Sequence, residues 1–141
     1  MYEEPRDVKL LSFPEIDNDG VLTPIELLGS AAQDAIPFDV KRIFFVSGAT
    51  KEKPRGLHAH YVGEQVIFCA AGSIQCRCKD VFGHKKTFTL DSPGKGLYTP
   101  ALVWDEQIYM TEETVLIALC SIPYDSKDYI NDWTEFQNLK K

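Results

Sequence analysis

The sequence predicts an all-β protein: a closed barrel or double-sheet jelly roll with a short helix at its C-terminal end. Short runs rich in β-branched and aromatic residues alternate with turn signals along the whole chain. No internal repeat and no linker interrupts them. Helical spacing occurs only in the tail, at Ile130, Trp133, Phe136 and Gln137. About ten short strands with tight turns close most readily on themselves, which removes exposed edges and leaves one mouth for a ligand.

Residues 8–13 form the first strand candidate. The Asp17-Asn18-Asp19-Gly20 turn leads to a second at 21–28. Residues 29–35 read as a loop or a short helical turn. Residues 40–47 are strongly β-prone, with Arg42, Phe44 and Val46 on one face and Ile43 and Phe45 on the other. Residues 57–62 form a strand that carries two histidines. Residues 65–71 are apolar on both faces, as in an inner strand. Gly72-Ser73 turns into 74–80, Phe82-Gly83-His84 into 86–90, and Ser92-Pro93-Gly94 precedes 96–99. Strands at 107–110 and 114–122 complete the set. The helix is expected over 126–139, with Ser126 as its N-cap and Asp128 in its first turn.

The 141 residues are 44% hydrophobic and 26% charged, which suits one globular domain spanning 1–141. The net charge is −6, and the only basic run is Lys140-Lys141, which argues against a nucleic-acid partner. No apolar run is long enough for a membrane span, and the polar start at residues 1–6 does not resemble a leader. Cys76 and Cys78 alternate with Gln75, Arg77 and Lys79, so they share a buried face, and no CxxC occurs. With Cys69 and Cys120 they read as reduced thiols of a cytoplasmic protein.

Two of the three histidines fall in Pro54-Arg55-Gly56-Leu57-His58-Ala59-His60, ahead of Glu64-Gln65. Residues i and i+2 of a strand share a face, so His58 and His60 project side by side, with Glu64 further along that face. Such a group suits either a metal or acid–base work. Glu64 alternatively pairs with Arg55 or Lys53.

The spacing His58-x-His60-x-x-x-Glu64, with Gly72 following, resembles the first motif of the cupin superfamily. The second motif, Pro-x-Gly-x-x-His, appears as Pro100-Ala101-Leu102-Val103-Trp104-Asp105. Leu102 stands at the glycine and Asp105 at the last ligand histidine. The resemblance implies a cupin-type double-stranded β-helix, a jelly-roll barrel.

A narrower resemblance covers nearly the whole chain. Lys41-Arg42-Ile43-Phe44-Phe45, the Arg55-Gly56-x-His58-Ala59-His60 string, Leu90-Asp91-Ser92-Pro93, Gly96-Leu97-Tyr98, and Tyr124-Asp125 with Asp128-Tyr129-Ile130 are similar to the TDP-4-keto-6-deoxyglucose 3,4-ketoisomerases. These are cupin-fold enzymes that work without metal or other cofactor. The resemblance implies a TDP-linked 4-keto-6-deoxy sugar as substrate and its 3-keto isomer as product, formed through an enediol. The isomer would feed synthesis of a 3-amino-3,6-dideoxy sugar of a surface polysaccharide. His60 is expected as the main base, with His58 serving the oxygens. Arg55 and Arg42 are expected at the pyrophosphate, because guanidinium makes bidentate phosphate contacts. Gln65, Tyr98 and Trp104 are candidates for the thymine, and Glu64 and Asp105 for further substrate contacts. The family further implies a homodimer with exchanged N-terminal strands. Asp19 and Asp105 depart from the family pattern, since relatives often carry tyrosine or arginine at the first and a basic residue at the second. Two alternatives remain open: a metal-dependent cupin using His58, His60, Glu64 and Asp105, and a non-catalytic sugar-nucleotide-binding cupin.

Overall fold

The computed structural model describes residues 5–31 and 34–140. Its strands are β1 (Lys9–Ser12), β2 (Ile16–Asp17), β3 (Val21–Leu22), β4 (Arg42–Val46), β5 (Arg55–His60), β6 (Gln65–Ala71), β7 (Ile74–Asp80), β8 (Lys85–Leu90), β9 (Lys95–Thr99), β10 (Val103–Tyr109), β11 (Val115–Cys120) and β12 (Tyr129–Ile130), followed by the helix α1 (Trp133–Gln137). They form two five-stranded antiparallel sheets, ordered β1-β9-β6-β11-β4 and β12-β5-β10-β7-β8, plus the β2–β3 hairpin. This is the jelly-roll barrel that the sequence predicts.

Alternation sorts side chains between the barrel interior and two outer layers. The interior cluster includes Ile67, Cys69, Ile74, Cys76, Cys78, Leu97, Leu116 and Ala118. Outside the first sheet, Val66, Phe68 and Leu119 pack with Phe13, Ile36 and Phe38. Outside the second, Ala59, Trp104 and Ile130 pack with Phe136 of α1. All four cysteines are buried and free, matching the reading of reduced thiols. Among the described residues, no helix is long and apolar enough to cross a membrane.

Three elements differ from expectation. The strand at 21–28 shrinks to β3, because Pro24 lacks the N–H that a ladder needs. The strand expected at 107–110 begins at Val103, so Trp104 and Asp105 belong to β10. The tail helix is reduced to α1. A single 3-10 turn covers Ser126–Asp128 with Asp125, not Ser126, as its cap, and Asp132 caps α1. Between them Tyr129 and Ile130 pair with His60 and Ala59, so the sheet takes the backbone groups that a continuous helix would use. Of the loop expected at 29–35, residues 32–33 lie outside the described residues.

Candidate active site

β5 carries the histidines, and a bulge sets their direction. Asp105 lies opposite His58 and Glu106 opposite Gly56, so Leu57 has no partner on β10. Gly56 and Leu57 both take left-handed backbone, with φ of 78° and 55°. A Cβ on Gly56 would lie 3.0 Å from the Asp105 carbonyl oxygen. The unpaired residue breaks strand alternation. Arg55, opposite Gln107, therefore faces the interior together with His58 and His60. The Arg55 guanidinium hydrogen-bonds the Tyr109 hydroxyl, which pulls against the burial that pushes this phenol up to about 12. At the second cupin motif, Leu102 keeps the left-handed φ (61°) that the expected glycine would adopt freely.

The histidine rings meet edge to face at 5.0 Å, and Tyr129 lies 5.1 Å from His58 and 4.6 Å from His60. Asp128 fixes His60. Its Oδ1 accepts from the Val62 N–H at 2.8 Å, and its Oδ2 accepts from the Gly63 N–H at 3.0 Å. Oδ2 also lies 3.1 Å from His60 Nδ1, making Nδ1 the donor. A side chain at Gly63 would come within 2.7 Å of Asp128 Oδ2, so this carboxylate needs glycine beside it. The other ring nitrogen, His60 Nε2, is buried and has no partner. Burial, with His58 and Arg42 nearby, lowers the His60 pKa below the usual histidine value, although Asp128 opposes the shift. The ring is thus a neutral imidazole with its free lone pair turned into the barrel.

Arg42 lines the same cleft, together with Glu64, Gln65 and Tyr129. Its guanidinium sits over the rings of Phe44 at 4.9 Å and Tyr124 at 5.1 Å. Gln65 points inward and donates to Cys120 Sγ at 3.7 Å. Asp105 is buried inside the barrel. Its Oδ2 accepts from Gln107 Nε2 at 2.7 Å, and Oδ1 has no partner. Among the described residues, no group of three or more His, Cys, Asp or Glu side chains is placed to hold a metal ion.

Three expectations need correction. Glu64 does not continue the histidine face, because β5 ends at His60 and the chain turns at Gly63. Its carboxylate accepts from the Tyr98 hydroxyl, not from Arg55 or Lys53. Tyr98 lies opposite Val66 and packs beside Phe38 outside the first sheet, away from the interior. Trp104 also faces outward, 5.1 Å from Trp133 and 5.6 Å from Phe136, so it anchors the C-terminal helix and cannot stack on a base inside the barrel. Asp19 occupies the exposed turn of the β2–β3 hairpin, with φ of 50°.

Sequence reasoning missed Asp128, Tyr129, Gln107 and Tyr109 as parts of the site. The tail string containing Asp128-Tyr129-Ile130 was the available signal, but the expected helix hid its pairing with the histidine strand.

Comparison with known proteins gives the family. Residues 6–141 match the family described as "FdtA: WxcM-like, C-terminal". The chain belongs to this FdtA family. It is 37% identical over 131 residues to a TDP-4-oxo-6-deoxy-alpha-D-glucose-3,4-oxoisomerase of Aneurinibacillus thermoaerophilus, covering 92% of this chain and 89% of that one. The crystal structure of QdtA, a sugar 3,4-ketoisomerase of Thermoanaerobacterium thermosaccharolyticum in complex with TDP, superposes with a TM-score of 0.85. It is 36% identical, with 95% of this chain and 94% of that chain covered. WlaRA, a TDP-fucose-3,4-ketoisomerase of Campylobacter jejuni, follows at a TM-score of 0.82 and 27% identity, with 96% of each chain covered. The FdtA-family barrel and the motifs that suggested it thus agree.

Proposed function

We propose that this chain isomerises a TDP-linked 4-keto-6-deoxyhexose to the 3-keto sugar through an enediol. The carrying observation is the state of His60: Asp128 holds Nδ1, Nε2 is buried and unpartnered, and burial keeps the ring neutral. A base that removes the C3 proton needs this free lone pair near neutral pH. His60 takes that proton and returns it at C4, while His58, 5.0 Å away, serves the oxygens. Arg55 and Arg42 supply positive charge for the pyrophosphate in a chain of net charge −6. Gln65 is the remaining candidate for the thymine. The named activities of the oxoisomerase and ketoisomerase relatives support the reaction class.

Incubation with TDP-4-keto-6-deoxyglucose in deuterated water, followed by NMR, tests this. The expected result is a 3-keto product, with deuterium at C4 to the extent that His60 exchanges its proton with solvent before delivering it. An unchanged substrate with no exchange overturns the reading. Coupling to a 3-aminotransferase reports whether the product enters a 3-amino-3,6-dideoxy sugar route, such as that of a surface polysaccharide, and gives its configuration at C4.

The same reading includes a cytoplasmic homodimer. The buried thiols suit a reducing compartment. Ile43 and Phe45 outside the first sheet are 56% and 66% exposed, and Val21, Leu22, Leu27 and Leu28 add to the exposed apolar surface. Surface of this kind suits a partner. Exchange of the strand at 9–12 would replace its pairing with β9 by the same pairing to a second copy.

A further inference from the structure

We infer that Asp105 is a positioning residue behind His58: it stores the proton that His58 exchanges with the two sugar oxygens. The inference rests on the isomerase reading above and extends it to a residue with no assigned role.

Three observations carry it. First, Asp105 and His58 are direct cross-strand neighbours whose side chains face the barrel interior. Second, Asp105 is only 5% exposed and has one free bonding position: Gln107 occupies Oδ2, and Oδ1 is buried without a partner. A solvent-excluded carboxylate with an orphaned oxygen costs considerably more than a neutral carboxyl group in the same place. Third, Asp105 ends a hydrogen-bonded row on the inner face of β10. Arg55 bonds the Tyr109 hydroxyl, Tyr109 donates to Gln107 Oε1 at 3.2 Å, and Gln107 Nε2 donates to Asp105 at 2.7 Å. Arg55 stands at the far end of this row, beside Tyr109 four positions from Asp105, and makes no hydrogen bond to the carboxyl group.

The groups around Asp105 agree. β7 presents the buried thiols of Cys76 and Cys78, which burial keeps protonated. β10 itself adds the like charge of Glu106, and β5 adds His58. Burial pushes the Asp105 carboxyl above the usual carboxylate value, although Gln107 and His58 pull it down.

The proton balance closes without a co-reactant. His60 takes the C3 proton as the C3–C4 double bond forms and the electrons of the C4 carbonyl move onto O4. His58 gives its ring proton to O4 and takes the Asp105 proton on its other nitrogen. The enediol then returns: His60 delivers its proton to C4, the O3–H bond breaks as the C3 carbonyl forms, and His58 receives the O3 proton while handing the other back to Asp105. Both histidines and the carboxyl group end as they began.

The test compares the full-length wild type with Asp105→Asn, which keeps an acceptor for Gln107 but cannot store a proton. Expected are unchanged TDP affinity by calorimetry and a kcat about 100-fold lower with TDP-4-keto-6-deoxyglucose. Wild-type kcat should also decline as pH rises and Asp105 loses its proton, and this decline should be missing in the variant. A variant with kcat within a few-fold of wild type and the same pH profile overturns the inference. The carboxyl titration of Asp105, followed by carbon NMR in the wild type, decides the matter even if the variant fails to fold: a midpoint in the ordinary carboxylate range overturns it. A wild type that leaves the ketosugar unchanged refutes the isomerase reading itself, whereas equal turnover by both proteins refutes only the role of Asp105.

Discussion

The two sheets of the barrel use their outer faces differently. Behind the sheet that bears the histidines, the chain covers itself. Trp104 and Ala59 are sealed under Phe136, and the pairing of Tyr129–Ile130 with β5 brings Asp128 to His60 from that side. Behind the other sheet, the cover is incomplete. Val66, Phe68 and Leu119 are buried under Phe13, Ile36 and Phe38, but Ile43 and Phe45 on β4 stay exposed. One face therefore has the support that fixes catalytic groups, and the other has the apolar surface that suits association. The lesson is a division of labour: damage behind the histidine sheet should reach the chemistry, and damage outside β4 should reach only assembly.

The largest effect tests the first half of that contrast. His60→Asn should lower kcat by about 10²- to 10⁴-fold while leaving the fold intact, measured by turnover and circular dichroism. Wild-type kcat should also fall as the solution is acidified below the usual histidine pKa. The His60 pKa is lowered, so the active neutral form persists until the pH drops through that value. The unfolded chain binds the extra proton across this window, so stability likewise rises with pH there. Phe136→Ala empties a fully buried position under Trp104 and should cost about 3–5 kcal/mol in a denaturant titration. Asp128→Asn removes the charged bond to His60 Nδ1 and should lower kcat by about 10- to 100-fold with TDP affinity preserved. The smallest effect on the single chain comes from the other sheet. Phe45→Lys should change its stability by no more than about 0.5 kcal/mol, yet shift sedimentation toward monomer. A Phe45→Lys protein that stays assembled but loses turnover would break the contrast, as would an Asp128→Asn protein with full turnover.

Alternation made the barrel legible, because strands such as β7 and β8 have inward and outward sets that differ sharply in the sequence. The histidine pair was legible for the same reason. Two errors share one physical cause. Tyr98 and Trp104 lie on strands whose two faces are both largely buried, so apolarity alone cannot say which way either ring points. Asp128 was hidden because helical spacing in the tail competed with long-range pairing to β5, and pairing won. The unpaired Oδ1 of Asp105 had no counterpart in any local pattern, since it depends on which atoms meet inside a closed barrel.

The bulge at Gly56–Leu57 gives the site an odd step. On an uninterrupted strand, residues sharing a face are separated by even counts, so a cation three positions before a histidine would point to the opposite side. The extra residue lets Arg55 and His58 share one cavity at closer range than a four-residue step allows. The distance between the charge reserved for one end of the ligand and the proton carrier at the other is thus written into backbone geometry. Drawing Leu57 into the ladder as a regular residue would turn Arg55 out of the barrel while His58 stayed inside, whereas deleting Leu57 would leave the two an even step apart on the same face.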